Sequence, residues 1–147
     1  MLAAVVALAG CSGGDPAAMQ SAGSTGSSSG SSVSQCGPMV LAQNCTFAGC
    51  HVSAPGAPAQ ANLDLTTAAL GDGHQLVNAP AQGSFCAMSS SPPPVIIDPH
   101  TPEKSLLYNK TTSQPVCGPE MPYLRQPLSP ANEQCILDWM KTVPGVE

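Results

Sequence analysis

The sequence predicts a small all-α domain that follows a Gly/Ser-rich tether. Apolar residues near the C-terminus recur at three- and four-residue steps, which is the spacing of a helix face. Nothing in the 147 residues alternates apolar and polar side chains convincingly enough to predict a strand. The stretch from residue 12 to about 34 is mostly glycine, serine and alanine, which bury too little apolar surface to fold. We therefore divide the chain into residues 1–10, 11–34 and 35–147, and expect only the last part to fold.

The terminal helix is the clearest predicted element. Ser129 is a good N-cap, and Pro130 suits the first helical position because that position needs no N–H donor. We expect Pro144-Gly145 to end the helix. Its predicted apolar face consists of Ala131, Cys135, Ile136, Trp139, Met140 and Val143.

Three further helical segments are predicted from weaker patterns. One covers about 38–44, one begins near Thr101-Pro102 and carries Leu106, Leu107 and Tyr108, and the weakest covers about 66–78. Val95-Ile96-Ile97 is a short apolar run between prolines and an Asp-Pro turn, and it predicts an extended loop. A domain of this size with so few aromatic residues usually needs disulfides or a cofactor for stability.

The first residues resemble the end of a bacterial lipoprotein signal. An apolar run ends in Leu8-Ala9-Gly10-Cys11, which implies cleavage before Cys11 and lipid attachment there. The run is too short to span a bilayer, and a competing interpretation is a stray apolar start. Because no basic stretch precedes the run, we expect the natural chain to begin earlier. Export implies a periplasmic or cell-surface location, and Ser12 in place of aspartate favours the outer membrane by analogy with lipoproteins.

The charge distribution excludes one class of partner. The net charge is −5, from nine acidic and four scattered basic residues, so the chain lacks the basic surface that nucleic acid requires. A redox partner with a basic face is compatible with this charge.

Residues 45 to 51 read Cys-Thr-Phe-Ala-Gly-Cys-His and predict covalent haem attachment. In such motifs the two thiolates add to the haem vinyl groups and the adjacent histidine becomes an iron ligand. The usual spacing is two residues rather than four. Residues five apart on a helix point about 140° apart, so the segment has to loop out, and Gly49 supplies the backbone freedom. Two competing interpretations are a Cys45–Cys50 disulfide and a zinc site, to which His74 or His100 could contribute.

Met121 is the predicted second axial ligand of the iron. It lies seventy residues after His51 in Cys-Gly-Pro-Glu-Met-Pro-Tyr, where Pro122 stiffens the turn. Met88, in a polar loop beside Cys86, is the main rival. Met39 and Met140 are weaker candidates because we expect them to be helix core, and His74 or His100 would give bis-histidine ligation.

The segment from about Cys36 to Val143 resembles a class I c-type cytochrome domain of exported bacterial lipoproteins. The resemblance rests on 40–51, on Leu63-Asp64-Leu65, on Ile97-Asp98-Pro99 with Ser105-Leu106-Leu107-Tyr108, on Met121-Pro122, and on 127–139. It covers about three quarters of the chain and departs from the majority pattern in its four-residue spacing. It implies a cytochrome c-like helical fold around one haem c, with the first and last helices crossing near Trp139. Cys45 and Cys50 would attach the haem, and His51 and Met121 would ligate the iron.

Once Cys11 is assigned to lipid and Cys45 and Cys50 to haem, four cysteines remain. They permit three pairings, of which we favour Cys117–Cys135 with Cys36–Cys86. The first pair would tie the methionine loop to the terminal helix. The implied function is a lipid-anchored monohaem electron carrier that serves an unidentified redox partner. A second hypothesis is a haem-free, disulfide-stapled interaction domain derived from the same fold. An enzyme, for example a haem peroxidase with an open iron position, ranks last because no catalytic constellation is visible.

Overall fold

The computed structural model describes residues 33–47, 49–66, 73–143 and 145. The predicted signal, the lipid-attachment residue Cys11 and almost all of the predicted tether lie outside the described residues. Residues 67–72 of the helix predicted over 66–78 also lie outside the described residues. The described end of that helix was predicted wrongly: only His74–Leu76 forms a 3₁₀ turn, and Val77 is extended and bridges Ile97.

Short helices joined by irregular segments make up the described part of the chain. The α-helices are α1 (Val33–Cys45), α2 (Ser84–Ala87), α3 (Leu106–Asn109) and α4 (Pro130–Met140). The 3₁₀ turns are Gln60–Asn62, His74–Leu76 and Pro102–Lys104. Within the described residues, β-structure is limited to three isolated bridges. This helical character agrees with the expectation, while the cytochrome c-like class remains a prediction.

Helix α4 confirms the sequence prediction most closely. The Ser129 side chain accepts a hydrogen bond from the Asn132 N–H at 3.3 Å, and Pro130 occupies the first helical position. Its buried side chains are Ile136, Leu137, Trp139 and Met140. The predicted face was wrong at its start, since Ala131 is exposed, and the helix ends at Met140 rather than at the predicted Pro144-Gly145.

Helix α1 begins at Val33, ahead of the predicted domain boundary at residue 35. Pro38, which suits a helix start, instead lies inside α1. Met39, predicted as core, is 57% exposed. That prediction was wrong because the side of α1 facing α4 is lined by neighbouring positions, including the fully buried Leu41.

Helices α1 and α4 pack against each other at very short range. An ideal Cβ at Gly37 would lie 2.5 Å from Trp139 Cβ and 3.1 Å from the Cys135 carbonyl oxygen. Only glycine permits that approach. The packing of the first and last helices, with Trp139 at their contact, is therefore as expected.

The disulfide pairing differs from the prediction. Cys117–Cys135 and Cys36–Cys86 are wrong: the structure pairs Cys36 with Cys135 and Cys86 with Cys117. The close contact of α1 with α4 places Cys36, which precedes Gly37, beside Cys135, with their Cα atoms 5.6 Å apart. Cys117 then joins Cys86 of α2, a helix that the sequence analysis did not predict.

The run 95–97 is an extended segment, as predicted. It forms bridges with Val77 and Pro80, and the N–H groups of Leu106 and Leu107 donate to its carbonyls at 2.9 and 3.0 Å. The helix predicted near Thr101 is divided into a 3₁₀ turn and α3. The Thr101 hydroxyl donates to the Asp98 carboxylate rather than capping a helix.

Candidate functional site

The predicted haem motif forms a closed loop at the end of α1. The His51 N–H donates to the Cys45 carbonyl at 3.2 Å, and the Cys50 N–H donates to the Phe47 carbonyl at 2.9 Å. Gly49 has φ +81°, in the left-handed region that glycine adopts without strain. The predicted loop-out with Gly49 as its pivot is confirmed. The loop brings the backbone of the first cysteine to the histidine despite the long spacing.

The His51 imidazole is oriented by a backbone carbonyl. Its Nδ1 lies 3.2 Å from the Leu63 carbonyl oxygen, which can only accept, so Nδ1 carries the proton in this contact, and the Gln60 backbone makes a further hydrogen bond with the ring. The Leu65 N–H donates to the His51 carbonyl at 2.7 Å and fixes the backbone as well. Burial lowers the pKa of His51, which favours the neutral imidazole that metal ligation requires.

Leu63 is a residue of the candidate site that the sequence analysis missed. Its role comes from its backbone oxygen, so its side chain gives no signal of it. The segment Leu63-Asp64-Leu65 was noted only for its resemblance to the cytochrome pattern. The Asp64 carboxylate accepts from the Ser53 and Thr66 N–H groups at 3.1 and 2.9 Å, and so fixes this segment beside the loop.

The two motif cysteines are in different states. Cys45 is a buried free thiol, and burial raises its pKa to about 11. The structure therefore does not contain the Cys45–Cys50 disulfide that the sequence left open. Cys50 is disulfide-bonded, so thioether formation at both positions needs Cys50 in its reduced form.

A zinc site finds no support in the described residues. Among them no three His, Cys, Asp or Glu side chains converge in a way that could hold a metal ion. His74 and His100 are both exposed. Zinc sites normally use four ligands or three with a water.

The loop that carries Met121 lies against the motif. The Arg125 guanidinium carbon lies 4.2 Å from the centroid of the Phe47 ring, which is a cation–π contact between the two segments. The Met121 N–H donates to the Lys110 carbonyl at 2.7 Å. After burial, the cation of Lys110 is a further cause of the lowered pKa of His51, so its charge acts on the same site.

The rival methionines occupy other environments. Met88 is 80% exposed beyond α2, whereas Met121 is half-buried. Met140 is fully buried in α4, as expected of a core residue. The cation–π contact of Arg125 with Phe47 therefore links the Met121 segment to the histidine loop.

In comparisons with known proteins, no protein family, curated protein or solved structure matches the chain. In the described part of the chain, every helix is too short or too polar to cross a membrane.

Proposed function

We propose that the chain is a monohaem c-type cytochrome that carries single electrons between redox partners. The observation that carries the proposal is the orientation of His51, a half-buried imidazole in the loop that contains Cys45 and Cys50, with its Nδ1 bonded to the Leu63 carbonyl. Haem-ligating histidines are oriented by this kind of bond to their second nitrogen.

The donor set fits haem c. It combines a neutral imidazole, a thioether and two cysteines, of which Cys45 is a free thiol at the end of α1. Bound at this place, the haem iron supplies a one-electron ferrous–ferric couple. Cys45 and Cys50 would hold the porphyrin covalently, and His51 and Met121 would ligate the iron.

The chain's own groups would set the properties of the site. The Leu63 carbonyl raises the basicity of the imidazole by accepting its Nδ1 proton. The thioether of Met121 favours reduced iron. The contact between Arg125 and Phe47 would hold the methionine segment against the loop that contains His51.

The location of the carrier is also part of the proposal. The ending Leu8-Ala9-Gly10-Cys11 supports a lipid anchor at Cys11 in the periplasm or at the cell surface, with the outer membrane favoured. The acidic net charge of −5 supports a redox partner with a basic docking face.

Expression with a cytochrome c maturation system tests the haem assignment. We expect a red protein whose reduced form has the sharp α band of c-type haem, and we expect His51→Gln to lose the low-spin spectrum. His100→Gln is the matched control, because His100 is exposed. A colourless wild-type protein, or a His51→Gln variant with an unchanged spectrum, would contradict the proposal.

A second candidate function is a haem-free interaction domain stapled by disulfides. The disulfides Cys36–Cys135 and Cys86–Cys117 and the disulfide-bonded state of Cys50 are compatible with it. Disulfide mapping of the exported protein separates the two functions. Cys50 recovered as a cystine in the native protein supports the second, whereas Cys45 and Cys50 recovered on one haem-bearing peptide support the first.

A further inference from the structure

Lys110 makes three backbone hydrogen bonds to the segment 117–121, which ends in Met121. Its Nζ donates to the Cys117 carbonyl at 2.9 Å and also to the Pro119 carbonyl. Its own carbonyl accepts from the Met121 N–H at 2.7 Å. Lys110 is itself fixed at the end of α3, because its N–H donates to the Leu106 carbonyl at 2.9 Å.

We infer that Lys110 is a positioning residue: its side chain fixes the segment 117–121 and thereby holds Met121 in place as the axial ligand. The inference rests on the proposed function, since it assigns a role to a residue that supports a proposed iron ligand. From the sequence, Lys110 was only one of four scattered basic residues.

The chemistry of the segment explains why a lysine is suited to this place. An ammonium group has three donors and no acceptor, so it can satisfy two converging carbonyls at once. Gly118, with φ +60°, lets the backbone turn between those carbonyls, and a Cβ there would lie 3.2 Å from Lys110 Nζ. Without the ammonium, the carbonyls of Cys117 and Pro119 lose this donor.

The first residue of the segment 117–121 is held by a separate covalent link. The Cys86–Cys117 disulfide ties its first residue to α2. From there to Met121, the hydrogen bonds of Lys110 are the ones that join the segment to α3. Loss of the Lys110 side chain should therefore loosen residues 118–121 while leaving α1 and α4 intact.

Two measurements on Lys110→Gln test the inference, with Lys104→Gln as the control. Lys104 is exposed and has the same charge. In the haem-free chain we expect amide exchange at Met121 to become about tenfold faster in Lys110→Gln, since one hydrogen bond corresponds to roughly that factor. In the haem-loaded chain we expect loss of the methionine-to-ferric-iron charge-transfer band. Lys104→Gln should change neither the exchange rate of Met121 nor the charge-transfer band. Lys110→Arg keeps the charge and the donors, so it should keep slow exchange and the band in part.

Gly118→Ala provides a second variant that keeps the lysine. Its Cβ would crowd Lys110 Nζ and strain the turn, so we expect the same loss of the charge-transfer band. A Lys110→Gln protein that keeps the band and the slow exchange of Met121 overturns the role of Lys110 but not the proposed function. A wild-type chain that takes up no haem in a competent host overturns both.

Discussion

The helix pair α1–α4 and the methionine segment 117–125 are held in place by different forces. The helix pair depends on apolar packing: Leu41, Ile136 and Met140 are fully buried. The methionine segment is instead held by a few separate interactions: the Cys86–Cys117 disulfide, the hydrogen bonds of Lys110 and the cation–π contact of Arg125. Leu124 in this segment is 75% exposed and has φ +57°, which a non-glycine residue adopts only at a cost.

The helix pair and the methionine segment are suited to different roles in the domain. A packed helix pair tolerates little change in side-chain volume, so it serves as the scaffold. An irregular segment held at a few points can present a side chain such as Met121 to a cofactor. In the haem-free chain, the two regions should therefore respond differently to substitution and to pH.

The two disulfides should stabilise the two regions to different extents. Cys36–Cys135 closes a separation of 99 residues and Cys86–Cys117 one of 31. The chain-entropy relation gives about 5 kcal/mol for the first and about 4 kcal/mol for the second. Urea unfolding measures both values in two variants, one with Cys36 and Cys135 replaced by alanine and one with Cys86 and Cys117 replaced by alanine. If removing Cys86–Cys117 lowers the free energy of unfolding more than removing Cys36–Cys135, the entropy of the unfolded chain does not explain the difference between the regions.

Gly37→Ala should destabilise the helix pair by about 2 kcal/mol, because its Cβ would overlap Trp139 Cβ and the contact is overpacked. Gly49→Ala is the matched control. It has open space around it but φ +81°, and should cost about 1 kcal/mol from backbone strain alone. The shift in urea midpoint checks both variants. A neutral Gly37→Ala would show that α1 and α4 are not in close contact.

Cys45 should make the stability of the haem-free chain fall at alkaline pH. Burial raises its pKa from 9.0 to about 11, so the unfolded thiol loses its proton at lower pH than the folded one. Stability is therefore complete below pH 9 and falls by about 1.4 kcal/mol by pH 10. Urea unfolding at pH 8 and pH 10 measures the loss. The Cys45→Ala variant should not show it, and an equal loss in that variant would place the cause elsewhere.

Of the changes considered, loss of the Asp98 carboxylate should have the smallest effect on the free energy of unfolding. Hydrogen bonds, first that from the Thr101 hydroxyl and then those from the Thr101 and His100 N–H groups, lower the pKa of its carboxyl. Its stabilisation is therefore present above pH 3.8 and is lost as the pH falls below that value. Because solvent screens this carboxylate, we expect less than about 1 kcal/mol. Acid unfolding of Asp98→Asn against wild type checks this, and a larger difference would mean that the carboxylate is shielded from solvent.

The sequence predicted the elements that depend on local signals. Ser129 and Pro130 fix the start of α4 by capping chemistry, and Gly49 fixes the turn of the motif by its backbone freedom. The pairing of Cys36 with Cys135 depends instead on how α1 packs on α4, which no local pattern encodes. The roles of the Leu63 carbonyl and of Lys110 arise from contacts between distant segments, so they too became visible only in the structure.

The central claim is that the loop 45–51 holds a covalently attached haem. The most direct test is the intact mass of denatured, exported protein from a host with cytochrome c maturation. We predict a mass raised by one haem, with that haem on the peptide containing Cys45, Cys50 and His51 after digestion. A protein of unmodified mass in the same host, with Cys50 still in a disulfide, would contradict the claim.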